Sequence, residues 1–342
     1  ARRILRAASI FGETFWTGGV QALLRDEFAE QGPERIKELC QLELIVPRLS
    51  SRFSSEIEYN FRHALVREGA YAMLTNRDLV LGHALAGEWL ERIGEPDAMV
   101  LAEHFERGST LHKSAAYYLK AAEQAFRGAD FQTAITRAQK GLASGAEGEI
   151  RVSLLEVLFI VHFLMAQYAQ CHDAATKVVQ TTKELGKLHG RALGYAASSA
   201  LILGRVDDFT HLAPQLLAVR PEPQDIAAFV HALYGVFVAL VIAGQQHAAN
   251  AYLLRILELI EPVRETDLLA AAWGDFSRVF ADREMSGDLW RAYEDNQSAA
   301  ILFQRAGARE LLAITNAHWG LSCFQLGLFD EAKNLISGVL AT

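Results

Sequence analysis

The sequence predicts a mainly α-helical protein in which a small α+β domain precedes a solenoid of stacked helix pairs, an α-α superhelix. Three observations support this fold class. From Leu79 onward, apolar residues recur every three or four positions, strand-like alternation is absent and helix breakers fall at short intervals. A six-residue motif returns at near-constant spacing through that part of the chain. Between residues 44 and 62 the period changes to that of two short strands.

Residues 1 to 78 are expected to form the α+β domain. Three stretches have the apolar spacing of short helices, with Pro33 in the first turn of the third: residues 3 to 10, 19 to 28 and 33 to 43. Two strands, at 44 to 49 and 56 to 62, then flank the polar turn SSRFSS. Three helices followed by a hairpin is the order of a winged-helix domain.

The rest of the chain is expected to be helical throughout. A helix starts near His63, and two more, at about 79 to 93 and 97 to 107, make a connecting helical hairpin over residues 79 to 111. Residues 112 to 342 hold about six helix pairs.

The repeated motif is a small residue, a polar or aromatic pair, two further residues and an alanine. The leading small residues lie at positions 129, 169, 204, 244, 287 and 327, and the copies read ADFQTA, AQCHDA, GRVDDF, GQQHAA, GDLWRA and GLFDEA. The small residue suits the end of one helix, and the alanine lets the next helix pack closely against it. Because one such pair cannot bury its own apolar face, we expect the pairs to stack.

These copies resemble the tetratricopeptide repeat. The last unit matches the family best, through Trp319, Gly320, Gly327, Phe329 and Ala332, whereas three middle units have bulky residues where the family prefers small ones, His162, Phe237 and Phe280. The resemblance implies a groove lined by the first helix of each pair. Transferred to this sequence, its lining would include Phe126, Phe159, Phe163, Arg191, His231, Tyr234 and Val238. A mainly apolar and aromatic lining suits an amphipathic helix or apolar peptide of a partner protein.

The segments FRHALVREGAYAML and LAEHFERG resemble the region behind the ATPase core of bacterial STAND-class signalling proteins. Those proteins often carry a serine/threonine kinase or cyclase domain ahead of the ATPase. In the family, a Met-His-Asp motif at the start of the last winged-helix helix holds the nucleotide's phosphates. Arg62, His63 and Ala64 occupy that place here, so the resemblance implies nucleotide sensing by His63 and Arg62 in an intact parent. It also implies an ATPase domain as intramolecular partner, and we expect this chain to be a fragment of a longer protein.

Composition argues against several partners and locations. The net charge is -8, and the whole excess of acidic residues follows residue 78, which disfavours nucleic acid and acidic membranes. Three widely spaced cysteines, Cys40, Cys171 and Cys323, predict neither a disulfide framework nor a zinc site and fit a cytoplasmic protein. The apolar run at 226 to 243 is long enough to span a membrane, but its place among the repeats favours a buried helix.

No motif for catalysis is present. The sequence lacks a phosphate-binding GxxxxGK[ST] loop, a kinase catalytic loop, HExxH and GxSxG, so we predict no catalytic residue, no metal and no cofactor. An enzyme would need a cluster of titratable groups that cannot be assembled from these residues.

The sequence therefore predicts a non-catalytic regulatory and protein-interaction module. A partner helix, a terminal segment or a second copy of the chain should cover the apolar groove, because monomers rarely expose such a surface. The alternative is a small-molecule sensor, as in the maltose-regulon activator family, whose repeat array binds an inducer. A sugar site needs polar residues beside an aromatic platform, and Tyr234 with His231 is the one pair in the sequence that points to such a site.

Overall fold

The computed structural model describes residues 1–182 and 187–340 and separates into two compact units, Ala1–Val157 and Leu158–Thr342. Both units are dominated by helices, and the first also contains a small sheet. The predicted fold class is thereby confirmed.

Unit 1 contains the sheet and the first helices. Its elements are α1 (Arg2–Phe11), β1 (Thr14–Trp16), α2 (Thr17–Leu24), α3 (Asp26–Gln41), β2 (Ile45–Pro47), β3 (Glu58–Phe61), α4 (Ala64–Ala72), α5 (Asn76–Ile93), α6 (Ala98–Arg107), α7 (Leu111–Arg127) and α8 (Phe131–Ala143). Helix α9 (Gly148–Leu164) begins in unit 1 and ends in unit 2.

The sheet has one strand more than the sequence predicts. Strands β2 and β3 pair antiparallel as expected, with Ile45 opposite Phe61, but β1 adds to the other edge of β3 with Phe15 opposite Tyr59. A three-residue strand is too short to show a period, so sequence reasoning missed it. Phe15 and Ile45 have no exposed side-chain surface and form the centre of the first core.

The second and third helices also begin earlier than predicted. Arg25, in the left-handed region at φ +53°, separates α2 from α3, and α3 already starts at Asp26. Pro33 therefore lies inside α3 and not in its first turn. An internal proline costs a helix about 3 kcal/mol. Burial of Phe28 and Leu39 on the core offsets this cost.

Local signals determine the ends of α5. Thr75 accepts a hydrogen bond from the Asp78 amide while the Asp78 carboxylate accepts one from the Thr75 amide, a capping box that begins the helix. Gly94, at φ +86°, ends it in the left-handed conformation. These boundaries orient one face of α5 toward α6, which starts after the capping residue Asp97.

Unit 2 consists of helices. They are α10 (Tyr168–Thr181), α11 (Lys187–Ile202), α12 (Val206–Ala218), α13 (Ile226–Ile242), α14 (Gln246–Ile260), α15 (Leu268–Phe280), α16 (Leu289–Arg305), α17 (Arg309–Gln325) and α18 (Phe329–Leu340). A π-helical segment, Ala281–Ser286, extends α15, and two single 3-10 turns lie at Pro223–Asp225 and Glu261–Val263. Helices α7 to α18 follow one another as six pairs.

The turn inside each pair contains one residue in the left-handed conformation. Five of the six predicted leading residues have it, at φ between +56° and +82°: Ala129, Gly204, Gly244, Gly287 and Gly327. For the second copy of the motif, the predicted turn residue, Ala169, is wrong by three positions. Ala166, at φ +55°, makes that turn, and Ala169 lies inside α10. Cys171, fully buried, then takes the packing position that alanine holds in most other pairs. The predicted packing alanines are all buried: Ala134, Ala174, Ala249, Ala292 and Ala332.

The most apolar helix is α13. The segment Pro223–Ile242 is long and apolar enough to cross a membrane, and 56% of its apolar window is buried inside the protein. Phe229, Leu233 and Phe237 are among its buried side chains, and α13 packs against α11, α14 and α15. Its hydropathy is that of a core helix, as the repeats predicted.

Candidate functional site

The most extensive candidate site in unit 2 is a connected row of rings on the first helices of its pairs. We call it the aromatic strip and define it by Phe163, Tyr195, His231, Tyr234, Trp273, Phe276, Phe280 and His318. Trp273 and Phe276 are buried, and the other six side chains are half-buried. The strip therefore presents ring edges and faces on a packed base.

One end of the strip crosses from α9 to α15. The ring of Phe163 lies 5.1 Å from that of Tyr195, which lies 6.1 Å from His231. His231 stacks on Trp273 with 4.4 Å between ring centroids and 16° between planes. Each step joins helices of successive pairs, so the strip depends on how those helices pack.

The other end of the strip is built around Tyr234. Its ring lies 5.1 Å from Trp273 and 6.1 Å from Phe280. Phe280 in turn lies 5.6 Å from His318 of α17. The guanidinium of Arg283 lies 5.1 Å above the Phe280 ring, with two of its nitrogens 3.4 Å from Nδ1 of His318. A buried cation–π contact thus ends the strip.

A close helix approach brings the first ring pair together. Gly194 of α11 faces Ala232 of α13, and a Cβ at Gly194 would lie 2.6 Å from the Cβ of Ala232. Only glycine permits this approach, because any other side chain would force the helices apart. Tyr195 and His231 are the sequence neighbours of these two residues, so the contact sets their separation.

Three titratable side chains of the strip, those of His231, Tyr234 and His318, are neutral at pH 7. Burial, aided by the positive charge of Arg191, lowers the pKa of His231 to about 4. Burial and the charge of Arg283 lower the pKa of His318 to about 4. Burial raises the pKa of Tyr234. These three side chains can therefore offer π faces, ring nitrogens and a hydroxyl, but no charge.

Charged groups at α15 and α16 complete the polar part of unit 2. Asp275, with 1% of its side chain exposed, accepts two hydrogen bonds from Arg264 at 2.8 and 2.9 Å and one from Arg278 at 2.8 Å. Burial, together with a hydrogen bond to Asp282 in the π-helical segment, raises the pKa of Asp295 to about 7. Satisfied by two guanidinium groups, Asp275 has the contacts of a structural residue.

The structure places the predicted groove residues in different positions. Phe163, His231 and Tyr234 belong to the strip, and Arg191 and Val238 are half-buried on its helices α11 and α13. Phe159 has no exposed surface and lies under the strip, 5.0 Å from Tyr195, so it is not a lining residue.

Phe126 belongs to unit 1. It packs beside Phe131 across the turn between α7 and α8, at 6.3 Å. Phe163 with Tyr168 and Phe324 with Phe329 repeat this contact across later turns. In these three helix pairs, an aromatic residue near the end of the first helix therefore packs on one at the start of the second helix.

Arg62 and His63 lie at the exposed start of α4 in unit 1. His63 is the residue before the helix and makes no side-chain capping hydrogen bond. Nη1 of Arg62 lies 3.1 Å from a carboxylate oxygen of Glu43. The two residues are sequence neighbours directly before the N-terminus of α4, and their contact with a phosphate stays a prediction.

Sequence reasoning missed Tyr195, Trp273, Phe276, Arg283 and His318. Trp273 is buried and carries the His231 stack. A signal for Tyr195 existed, since it lies one helical turn after Arg191 on the same helix face. Within the described residues, no group of three or more His, Cys, Asp or Glu side chains is arranged to hold a metal ion.

No protein-family model and no curated protein sequence matches this chain. The fold resembles the crystal structure of a Signal Transduction ATPase with Numerous Domains (STAND) protein with a tetratricopeptide repeat sensor from Pyrococcus horikoshii. The TM-score is 0.51 at 14% sequence identity, over 99% of this chain and 49% of that chain. The shared property is the fold. This chain spans about half the length of the protein it matches.

Proposed function

We propose that this chain is a non-catalytic regulatory sensor module of a STAND-type signalling protein and that the aromatic strip binds a partner protein. The observation that carries the proposal is the strip, a connected row of half-buried rings crossing five successive first helices, from α9 to α17. The tetratricopeptide-like fold supports it, because stacked helix pairs expose a long surface for recognition.

The chemistry of the strip favours an amphipathic helix. Its neutral rings can cover an apolar face, and Tyr234 and His231 can exchange hydrogen bonds at its edge. The net charge of -8, all of it arising after residue 78, would attract a basic polar face. A lysine-rich amphipathic helix is therefore the proposed occupant.

The test is a titration of a labelled helical peptide with leucine on one face and lysine on the other, followed by fluorescence anisotropy. His231→Ala removes the ring stacked on Trp273 and should weaken binding on the order of tenfold. Trp290→Ala is the matched control, because Trp290 is 59% exposed on α16 outside the strip. The same peptide with glutamate in place of lysine should bind more weakly.

Two outcomes would remove the proposal. Equal loss in both variants would mean that the peptide binds aromatic side chains without regard to their place. Unchanged binding in His231→Ala would put the partner surface elsewhere on the chain.

A second candidate function is a small-molecule sensor. The stack of His231 on Trp273, with the Tyr234 hydroxyl on the adjacent ring, is the arrangement of ring face and polar group that a sugar needs. Isothermal titration with short maltooligosaccharides tests it. Saturable heat that is lost in His231→Ala, with no peptide binding, would favour this candidate over the first.

For an intact parent we propose that the sheet-containing part is a winged-helix domain that contacts the ATPase. The order helix, strand, helix, helix, strand, strand in residues 2 to 61 supports it. There His63 and Arg62 would sense the nucleotide, in a bacterial, cytoplasmic protein with a kinase or cyclase domain ahead of the ATPase. The His63→Ala variant should leave stability unchanged, because the side chain is exposed and makes no capping bond. Loss of nucleotide response with intact stability in the parent supports the role; an unchanged response contradicts it.

A second copy of the chain is a further candidate to cover exposed apolar side chains of unit 2. The terminal pair of unit 2 exposes Phe324 by 60% and Phe329 by 62%. Sedimentation over a range of concentrations tests self-association, and a monomer at all of them would exclude it.

A further inference from the structure

Unit 1 contains a cavity of about 470 Å³ that the proposed function does not use. The end of α1 and the helices α4, α5 and α6 surround it. Ile10, Phe11 and Val100 supply apolar surface, and polar side chains from α4, α5 and α6 converge on the rest. A concave, mainly apolar site with a few convergent polar groups is the usual form of a small-molecule site.

A chain of three hydrogen-bonded side chains forms part of the wall. The hydroxyl of Tyr71 lies 2.9 Å from Nε2 of His83, and Nδ1 of His83 lies 3.1 Å from Nδ1 of His104. Both histidines are buried, with 2% and 7% of their surface exposed. Burial lowers the pKa of His83 to about 4 and that of His104 to about 3, so both rings are neutral at pH 7. In the Nδ1 contact one ring must therefore donate and the other accept.

The hydrogen-bonded row of Tyr71, His83 and His104 leaves one polar atom, Nε2 of His104, for a ligand. His104 lines the cavity and uses Nδ1 for the contact with His83. Its Nε2 has no hydrogen-bond partner within the part of the chain that the structure describes. When Tyr71 donates to His83, His83 donates to His104 and Nε2 of His104 carries a proton to donate. When the direction of both hydrogen bonds is reversed, Nε2 of His104 carries no proton and accepts. The three side chains can therefore bind a ligand group that donates or one that accepts a hydrogen bond.

A close helix contact positions these groups. Gly108, at the end of α6, lies against α5, where a Cβ would be 2.6 Å from the backbone nitrogen of Ala84. Ala84 follows His83, and Gly108 lies one helical turn after His104. The glycine thus sets the distance between the two histidines.

The charges around the cavity are balanced. Arg67 and Glu68 come from α4, and Glu103 and Arg107 come from α6, one turn apart. Arg67 pairs with Glu68 at 3.3 Å. Across residues 1–182 and 187–340, neither Glu103 nor Arg107 has an ion-pair or side-chain hydrogen-bond partner. A ligand with only negative charge would face two carboxylates, and one with only positive charge would face two guanidinium groups.

We propose that this cavity binds a small zwitterion with apolar side chains, of the class of free amino acids and dipeptides. The ammonium group would pair with Glu103 and the carboxylate with Arg107, two groups that now lack partners. The apolar side chains would lie on Phe11 and Val100. His104 would hydrogen-bond the ligand's remaining polar group. The volume is within the range of pockets that enclose such molecules.

The experiment is isothermal titration of the 342-residue chain with leucyl-leucine and two blocked forms. N-acetyl-leucyl-leucine lacks the positive charge, and leucyl-leucine amide lacks the negative charge. We expect the zwitterion to bind and each blocked form to bind at least about tenfold more weakly, as the loss of one charged contact implies. Free leucine serves as a third probe that reports the size preference.

Two variants link binding to the cavity. Glu103→Gln should remove the preference over the acetylated form, and Arg107→Gln the preference over the amide. Arg127→Gln is the matched control, because Arg127 is exposed on α7 in the same unit and does not line the cavity. Circular dichroism confirms that the variants remain folded. Absence of binding by the zwitterion, equal binding of all three forms, or equal effects of Arg107→Gln and Arg127→Gln would overturn the proposal.

Discussion

Replacing Gly194 with alanine tests how the aromatic strip is assembled. In a helix interior, Gly→Ala ordinarily stabilises by roughly 0.5 to 1 kcal/mol, because glycine loses more backbone freedom on folding. At Gly194 the added Cβ would lie 2.6 Å from the Cβ of Ala232 and 2.9 Å from its Cα and carbonyl oxygen. Two of these three atoms belong to the backbone, so α11 and α13 must separate.

The magnitude follows from comparing the two effects. Overpacking a close contact costs about 1 to 3 kcal/mol. Set against the gain in helix propensity, Gly194→Ala should lower the free energy of unfolding by about 1 to 2 kcal/mol. Gly338→Ala is the matched control, since Gly338 also lies in a helix of unit 2 and a Cβ there meets nothing within 4 Å. It should raise stability by up to about 1 kcal/mol.

Urea unfolding followed by circular dichroism measures both variants, and hydrogen exchange of the α11 and α13 amides localises the effect. Separation of the helices should also lengthen the 6.1 Å contact between Tyr195 and His231 and weaken peptide binding to the strip. If Gly194→Ala proves as stable as Gly338→Ala, the helices do not approach as described, and the packing argument for the strip is wrong.

Three further predictions concern the turns and the buried titratable groups. In thermal melts, Ala166→Gly should stabilise the protein by up to about 1 kcal/mol, because it relieves an alanine in the left-handed conformation, whereas Ala169→Gly inside α10 should destabilise it by about as much. A destabilised Ala166→Gly and a stabilised Ala169→Gly would instead support the turn position predicted from the sequence. Because the pKa values of His83 and His104 lie below the ordinary value of 6.5, unit 1 should lose stability as the pH falls from about 6.5 toward 4, by a few kcal/mol at most. Amide protection factors in α5 and α6 that stay constant over this pH range would contradict this. The raised pKa of Asp295 has the opposite effect on stability, because its stabilising contribution is complete below pH 4 and is lost as the pH rises through 7. Asp295→Asn should therefore stabilise unit 2 at pH 8, and equal denaturation midpoints for variant and parent at that pH would refute the raised pKa.

The repeats could be predicted because their signals are local. Five of six turn residues are correct, since a small residue able to adopt positive φ must follow the end of each first helix. The second copy failed because Ala166 and Ala169 are both alanines near a helix end, and composition alone does not distinguish a left-handed alanine from a helical one. The strand Thr14–Trp16 was missed for a related reason, as its pairing with β3 joins residues more than forty positions apart.

The candidate sites were only partly visible in the sequence. Family positions on the first helices singled out His231 and Tyr234, which lie in the strip, and Phe159, which is buried beneath it. Nothing in the sequence around His83 or His104 indicated that the two rings share a hydrogen bond. Their contact depends on the approach of α6 to α5 at Gly108.

The sequence by itself determined that the chain forms helices in pairs after a small α+β region, because turn glycines, capping residues and apolar periodicity act over a few neighbouring positions. Only the tertiary structure decided which rings meet in the strip and which polar groups surround the cavity. Those contacts depend on distances between helices, and side-chain volumes at close approaches such as Gly194 with Ala232 set those distances through packing that no local pattern encodes.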